Sequence, residues 1–375
     1  MSNAAEKIIA EAVPFVPIET SNVSAPFEWR NFSIEHDALL KKEMKPLEFL
    51  VENFIVIPST GVLASPKKRG KSWMALQLGQ CVAQHTDFLG LKTRQGKVVY
   101  LALEDGERRL KQRLLLQNTI AGLPITYVYK FEALNSKLGF QQFEDLIKVT
   151  QPMFVIIDTL ASAKNKYVDE NSAGDMADLI NKIHELAQKY NCAILIIAHH
   201  GKPKVTEDRD AGFDIRGSSA IPGATDFNAG LYKNSDGTTD LKVEGRDIGE
   251  LELRIKFDWE VTKTWQLLGD AKDVRRSESE TNIKNAINTL GGSADCGAIA
   301  DELGLTRGTV QVQLQRMRDE GSLTYELIGT GKGKKIFYSI PSPTSSSSSS
   351  LYNHQHPQLP LNSVDDVGER LPDTK

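Results

Sequence analysis

Four short runs in the first 200 residues are apolar almost without interruption: Val62-Leu-Ala64, Lys97-Val-Val-Tyr-Leu-Ala-Leu103, Met153-Phe-Val-Ile-Ile157 and Ala193-Ile-Leu-Ile-Ile-Ala198. A strand with one wet face alternates polar and apolar residues, so runs like these belong to strands buried on both faces. Between them lie stretches with apolar residues at helical spacing: 73–84, 107–119, 138–148 and 175–190, with a weaker strand at 125–129. Strand–helix alternation of this kind predicts an α/β fold, a mostly parallel sheet with helices on both faces.

The pattern changes after Gly217. Segments 227–232, 239–243, 251–258 and 264–268 read as strands joined by short turns, including Asp236-Gly237, so the core is expected to finish in antiparallel strands near residue 270. The division predicted from this is a loose N-terminal arm at 1–35, broken by Pro14, Pro17 and Pro26, and an α/β domain at 36–270. A polar linker at 271–280 then leads to a small unit at 281–340, and a disordered tail at 341–375 carries six consecutive serines.

No stretch approaches the ~18 uninterrupted apolar residues of a membrane helix. Cys81, Cys192 and Cys296 are far apart and form no metal spacing, and no export signal is visible. They read as small hydrophobes in a reducing, cytoplasmic compartment. A formal charge of -4 excludes a globally basic nucleic-acid coat but allows a local basic site.

Chemistry concentrates where the apolar runs end. Ser65-Pro-Lys-Lys-Arg-Gly70-Lys71-Ser72 sits between a strand and a helix and ends like a phosphate-binding loop, with Ser65 where the first glycine usually stands. Backbone N–H groups at a helix N-terminus attract phosphate oxygens, and Gly70 permits close approach. The expected roles are Lys71 on the β- and γ-phosphates of ATP and the Ser72 hydroxyl on Mg²⁺. Ser65, Pro66, Lys67, Lys68, Arg69, Gly70, Lys71, Ser72 and Trp73 make up the candidate nucleotide site. Asp158 closes an all-apolar strand, a costly place for a carboxylate unless it serves a charge, and is the candidate metal-organising acid. Glu104 and Asp105 follow the 97–103 strand. Glu104, the nearer of the two, is the preferred general base. His199 and His200 end the fourth run; a polar sensor of the γ-phosphate fits them better than metal ligation, because adjacent residues on a strand point oppositely.

Five motifs in order make the chain resemble the RepA-like hexameric replicative helicases and the RecA-type ATPases around them. They are Leu63-Ala-Ser-Pro-Lys-Lys-Arg-Gly-Lys-Ser, Val99-Tyr-Leu-Ala-Leu-Glu-Asp-Gly, Val155-Ile-Ile-Asp-Thr-Leu, Ile197-Ala-His-His-Gly-Lys and Arg216-Gly-Ser-Ser-Ala. The resemblance spans roughly residues 40–265 and departs from the family at Lys68-Arg69. It implies a RecA-like ATPase, a homo-hexamer, and helicase or translocase activity in replication of a mobile element or similar replicon. The alternative is a non-unwinding, nucleotide-gated DNA-binding ATPase of recombinase, regulator or loader type. It also implies His200 as the sensor, and Arg216 or Arg246, with Arg246 favoured, as an arginine acting on the neighbouring subunit's γ-phosphate. Single-stranded DNA is expected on the loops after the Asp158 and His200 strands, at Lys164, Lys166, Lys202, Lys204 and Arg209, with Tyr167 and Phe213 able to stack bases.

In the 281–340 unit, Ala300-Asp-Glu-Leu-Gly-Leu-Thr-Arg-Gly-Thr-Val fits a helix-turn-helix, with Thr306 as the helix cap. A hairpin follows, and the whole resembles a winged-helix domain. Arg307, Thr309, Gln311 and Gln313 would lie early on its recognition helix, with Lys332, Lys334 and Lys335 on its wing. Duplex DNA or a protein is its expected partner.

Overall fold

A computed structural model describes residues 28–164, 173–199, 223–330 and 334–341. The chain divides into two compact units, 1–48 and 49–375. Of the first, the described part holds a single 3-10 turn, Trp29–Phe32, and a short exposed helix α1, His36–Lys41. Most of the expected arm, 1–27, lies outside the described residues, as does the expected tail from 342 onward.

The second unit is built on a nine-stranded sheet. Its strands are β3 (Ser59–Ser65), β4 (Val98–Ala102), β5 (Ile125–Val128), β6 (Phe154–Asp158), β7 (Ala193–His199), β8 (Phe227–Lys233), β9 (Thr239–Gly245), β10 (Leu251–Phe257) and β11 (Trp265–Asp270). Across the sheet they run β5-β4-β6-β7-β3-β8-β9-β10-β11. β3 to β8 are parallel, and β9, β10 and β11 complete the sheet antiparallel. The mostly parallel α/β sheet expected from the apolar runs is therefore what forms.

Each apolar run feeds two cores, because alternate side chains leave opposite faces of the sheet. Val98, Tyr100, Phe154, Ile156, Leu195 and Ile197 pack on one face against α2 (Lys71–Gln84) and α3 (Glu107–Leu116). That face also receives the two-stranded β1 (Glu48–Val51) and β2 (Ile55–Ile57), which carry no strand signal in the sequence. Val99, Leu101, Val155, Ile157, Ile194 and Ile196 pack on the other face against α4 (Lys137–Thr150), the one-turn α5 (Leu160–Ala163) and α6 (Ala173–Tyr190).

The polar segment 271–280, expected as a linker, is helical. It forms the first half of α7, Ala271–Thr289, capped by the Asp270 carboxylate, which accepts from the amides of Lys272 and Asp273. Ion pairs hold it to the sheet in place of apolar contacts. The Arg254 side chain is buried and pairs with Asp240 at 2.5 Å and Glu278 at 3.3 Å. Arg275 reaches Asp240 at 3.0 Å and also pairs with Glu252. Beyond α7 come β12 (Ser293–Asp295), α8 (Cys296–Leu303), α9 (Arg307–Asp319), β13 (Thr324–Ile328) and β14 (Lys335–Ser339). The three strands form a separate antiparallel sheet, β12-β14-β13, around a third core containing Ile283, Ile299, Val310, Leu314 and Tyr338.

Candidate functional site

β3 and β4 follow one another in the chain yet lie three places apart in the sheet, with β7 and β6 between them. Crossings of this kind open a crevice beyond the carboxyl ends of parallel strands, where α/β proteins bind ligands. Here that crevice is a cleft of about 400 Å³, lined by Lys68, Arg69, Gly70, Lys71, Ser72, Trp73, Glu104, Asp105, Arg109, Arg113, Thr159, His199 and Trp259.

The 65–72 loop starts from extended backbone. Ser65 is the last residue of β3, opposite His199 of β7 in the parallel register. Extended geometry needs no glycine, so the substitution of Ser65 for the usual first glycine costs nothing in this backbone. The left-handed positions are Lys68, with φ +61°, and Gly70, with φ +86°. At Gly70 a side chain is excluded twice, by φ and by Trp265, whose ring carbon lies 2.7 Å from where a Cβ would sit. Trp265 backs the loop, donating its indole N–H to the Gly70 carbonyl at 3.3 Å. Gln77 of α2 pins that tryptophan's backbone from both sides, at 2.9 and 2.8 Å.

Lys71 opens α2 and turns back into its own loop. Its Nζ donates to the Ser65 carbonyl at 2.8 Å, the Ser65 hydroxyl at 3.1 Å and the Pro66 carbonyl at 3.1 Å, and lies 3.2 Å from His199 Nδ1. Burial pushes its pKa down to about 8, against the opposing pull of Asp158 and Glu104. Lys67, Lys68 and Arg69 are exposed along the rim.

Asp158 ends β6 and is buried. One carboxylate oxygen accepts from the Tyr100 hydroxyl at 2.7 Å; the other, Oδ1, is buried with no protein partner. Burial raises its pKa to about 6, while hydrogen bonds from Tyr100 and Ser72 pull the other way. A buried oxygen without a donor, beside the Ser72 hydroxyl, is the donor set a hard divalent cation takes.

Glu104 and Asp105 have different surroundings. The Leu103 and Glu104 amides both donate to the Asp158 carbonyl, at 2.8 and 3.2 Å, which fixes the β4 end against the β6 end. The Glu104 side chain is exposed at the cleft, whereas Asp105 is buried in ion pairs with Arg109, at 3.0 Å, and Arg113. Only Glu104 has an oxygen available to a water in the cleft.

Of the two histidines, the structure brings His199 to the loop; His200 lies outside the described residues. Arg216, Lys166, Tyr167, Lys202, Lys204, Arg209, Phe213 and Lys332 also lie outside them. Lys164 follows α5 as its C-cap and is buried, in place of the expected position on an exposed loop. Arg246 follows β9 at the other end of the sheet from the 65–72 loop. Gly245 pairs with Phe227, which pairs with Gly61, four residues short of Ser65 or roughly 13 Å along the strand. It cannot reach its own chain's loop.

Arg307, Thr309, Gln311 and Lys334 are exposed in the C-terminal unit. Gln313, also on α9, accepts from Ser279 of α7 at 2.6 Å. Lys335 pairs with Asp295 at 2.7 Å.

Sequence reasoning missed Tyr100, Arg113, Trp259 and Trp265. Arg113 and Trp259 line the cleft, while Tyr100 supports Asp158 and Trp265 backs the loop, contacts between residues distant in sequence. Trp259, on the β10–β11 turn, is 61% exposed yet packed on Phe257 with ring centroids 4.4 Å apart. The Asp258 carboxylate holds that turn by accepting from the amides of Glu260, Val261 and Thr262, which drives its pKa far down.

Among the described residues no cluster of three or more His, Cys, Asp or Glu side chains could hold a metal, and no helix is long and apolar enough to cross a membrane. A family model described as an AAA domain matches residues 26–205, a little under half of the chain. Among solved structures, an ATPase domain is similar over 56% of this chain and 85% of its own length, at 14% identity and a TM-score of 0.46. A second similar structure is that of a DnaB-like replicative helicase, described with its interactions with primase. The likeness covers 56% of this chain and 57% of that one, at 14% identity and a TM-score of 0.45.

Proposed function

We propose that this chain is an ATP hydrolase of the RecA-like ring type, acting as a DNA helicase or translocase in the replication of a mobile element or similar replicon. The observation that carries the reading is one cleft: the ends of β3, β4, β6 and β7 bring Lys71, Ser72, Glu104, Asp158 and His199 to a helix N-terminus. The match of residues 26–205 to an AAA domain supports it.

In this reading the loop amides and Lys71 bind the triphosphate, and Lys71 exchanges its contacts with Ser65 and Pro66 for phosphate oxygens. Ser72 and Asp158 Oδ1 would hold Mg²⁺, whose charge would offset that of the phosphates. Glu104 accepts a proton from water as the water oxygen bonds to the γ-phosphorus and the bond to the β–γ bridging oxygen breaks. His199, beside Lys71, stands with His200 as a candidate sensor of the γ-phosphate. Trp259 offers an open ring face at the rim on which a base can stack.

Arg246, well away from its own chain's loop, is read as acting on a neighbouring subunit's nucleotide, which fits a homo-hexamer. Single-stranded DNA is assigned to the segments after β6 and β7, and Mg²⁺-ATP is the fuel. The C-terminal unit, with Thr306 capping α9 and a two-stranded wing, is read as a winged helix that meets duplex DNA or a protein. Strand displacement on a forked duplex tests the reading. It is expected with ATP and Mg²⁺ and absent with a non-hydrolysable analogue; hydrolysis without displacement on any fork would assign the chain to the non-unwinding class.

A further inference from the structure

Asp226 lies at the end of the sheet opposite the cleft, just before β8. Its side chain is 16% exposed, and each of its oxygens faces a partner. Oδ2 accepts the Thr60 amide at 2.8 Å and lies 3.1 Å from Nδ1 of His184, close enough for an ion pair with a protonated imidazole although off the line of a good hydrogen bond. Oδ1 faces the Arg246 guanidinium at 4.0 Å. The backbone of the same residue holds Arg246 by a second route: the Arg246 amide donates to the Asp226 carbonyl at 2.9 Å. That approach requires Gly245, because a Cβ there would stand 2.9 Å from the Asp226 carbonyl oxygen. A third anchor comes from Gly223, whose carbonyl accepts from Arg246 Nη2 at 2.8 Å.

Arg246 is thus 63% exposed but hydrogen-bonded at its backbone and at Nη2, with Nη1 facing the Asp226 carboxylate at 4.0 Å. An ordinary surface arginine gains little from a single exposed ion pair and keeps its rotamers. An arginine that must meet a phosphate across a subunit boundary benefits from the reverse, since ordering it in advance removes an entropic cost at the transition state. We infer that Asp226 is a positioning residue that holds Arg246 ready for the neighbouring subunit's nucleotide, with Gly223 as its second support. The inference rests on the reading of Arg246 as the arginine acting in trans. The carboxylate that faces Arg246 is Asp226, twenty positions earlier in the chain.

The test is a double-mutant cycle in the full-length assembled protein, reading kcat and KM for ATP separately. Asp226→Asn keeps an acceptor for the Thr60 amide but removes the charge that faces Arg246. It is expected to lower kcat about tenfold with KM unchanged, in line with the cost of a misplaced transition-state group. Arg246→Ala is expected to lower kcat further, and the double variant no further than Arg246→Ala alone, because a positioning residue has nothing left to position. Losses that multiply in the double variant, or full kcat in Asp226→Asn, overturn the inference. Normal turnover in Arg246→Ala removes the trans reading itself, and its holder with it. If Asp226→Asn does not fold, Asp226→Glu, which keeps the charge but displaces it, carries the same cycle with the same outcomes.

Discussion

Lys71 and Asp158 sit a few ångströms from where their charges would be used, and both are held in unfavourable states by burial. Asp158 shows the consequence most clearly. Its pKa is raised to about 6, above its value in an unfolded chain, so the folded chain binds more protons between roughly pH 4 and 6. Its contribution to stability is present below that window and lost as pH rises through it, leaving a penalty at neutral pH. Asp158→Asn should therefore raise stability at pH 7.5 by about 2–3 kcal/mol, with the gain vanishing near pH 4. Denaturant midpoints at the two pH values check this, and a less stable Asn variant at pH 7.5 would contradict it. The neighbouring acids can be separated too. Glu104→Gln should bind ATP yet turn over at least about 100-fold more slowly, the scale of losing a general base. Asp105→Asn, whose carboxylate is tied to Arg109 and Arg113, should alter stability more than turnover. Steady-state rates with melting curves decide it; a folded Asp105→Asn variant that is the crippled one would exchange the roles.

At the scale of elements, α7 separates what could be read in the sequence from what could not. The strands with two dry faces announce themselves by composition, and the loop, Glu104 and Asp158 follow because they sit at strand ends. Strand order is not local information, so nothing in the text puts β7 beside β3 or His199 opposite Ser65. The 271–280 segment reads as a linker because hydrophobic periodicity is the usual sign of a docked helix, and this half-helix buries only Ala271. Its docking is ionic, through Arg254, Arg275, Asp240 and Glu278, whose partners are distant in sequence. Arg254→Leu leaves Asp240 buried with half its compensation, so it should destabilise the chain by about 3 kcal/mol, the typical cost of breaking a buried pair. Chemical denaturation of the full chain measures this. A change below ~0.5 kcal/mol would mean that the network is no stronger than a surface pair.

At the scale of the whole molecule, the proposed function divides between the two ends of one sheet. The carboxyl ends of the parallel strands carry the cleft, and the opposite end carries Arg246, too far from its own loop to serve it. On the proposed reading, with a phosphate site at one end and the exposed Arg246 at the other, the chain would complete its active site by meeting another copy. Everything in this account depends on Lys71 contacting phosphate. The most direct measurement is ATP turnover by the full-length protein with Mg²⁺, with and without single-stranded DNA, in wild type and in Lys71→Ala. The expected result is turnover stimulated by the strand in wild type, and a loss of at least about 100-fold in the variant, the scale of removing one charged contact from a preorganised site. Undiminished turnover in a folded Lys71→Ala protein would contradict it.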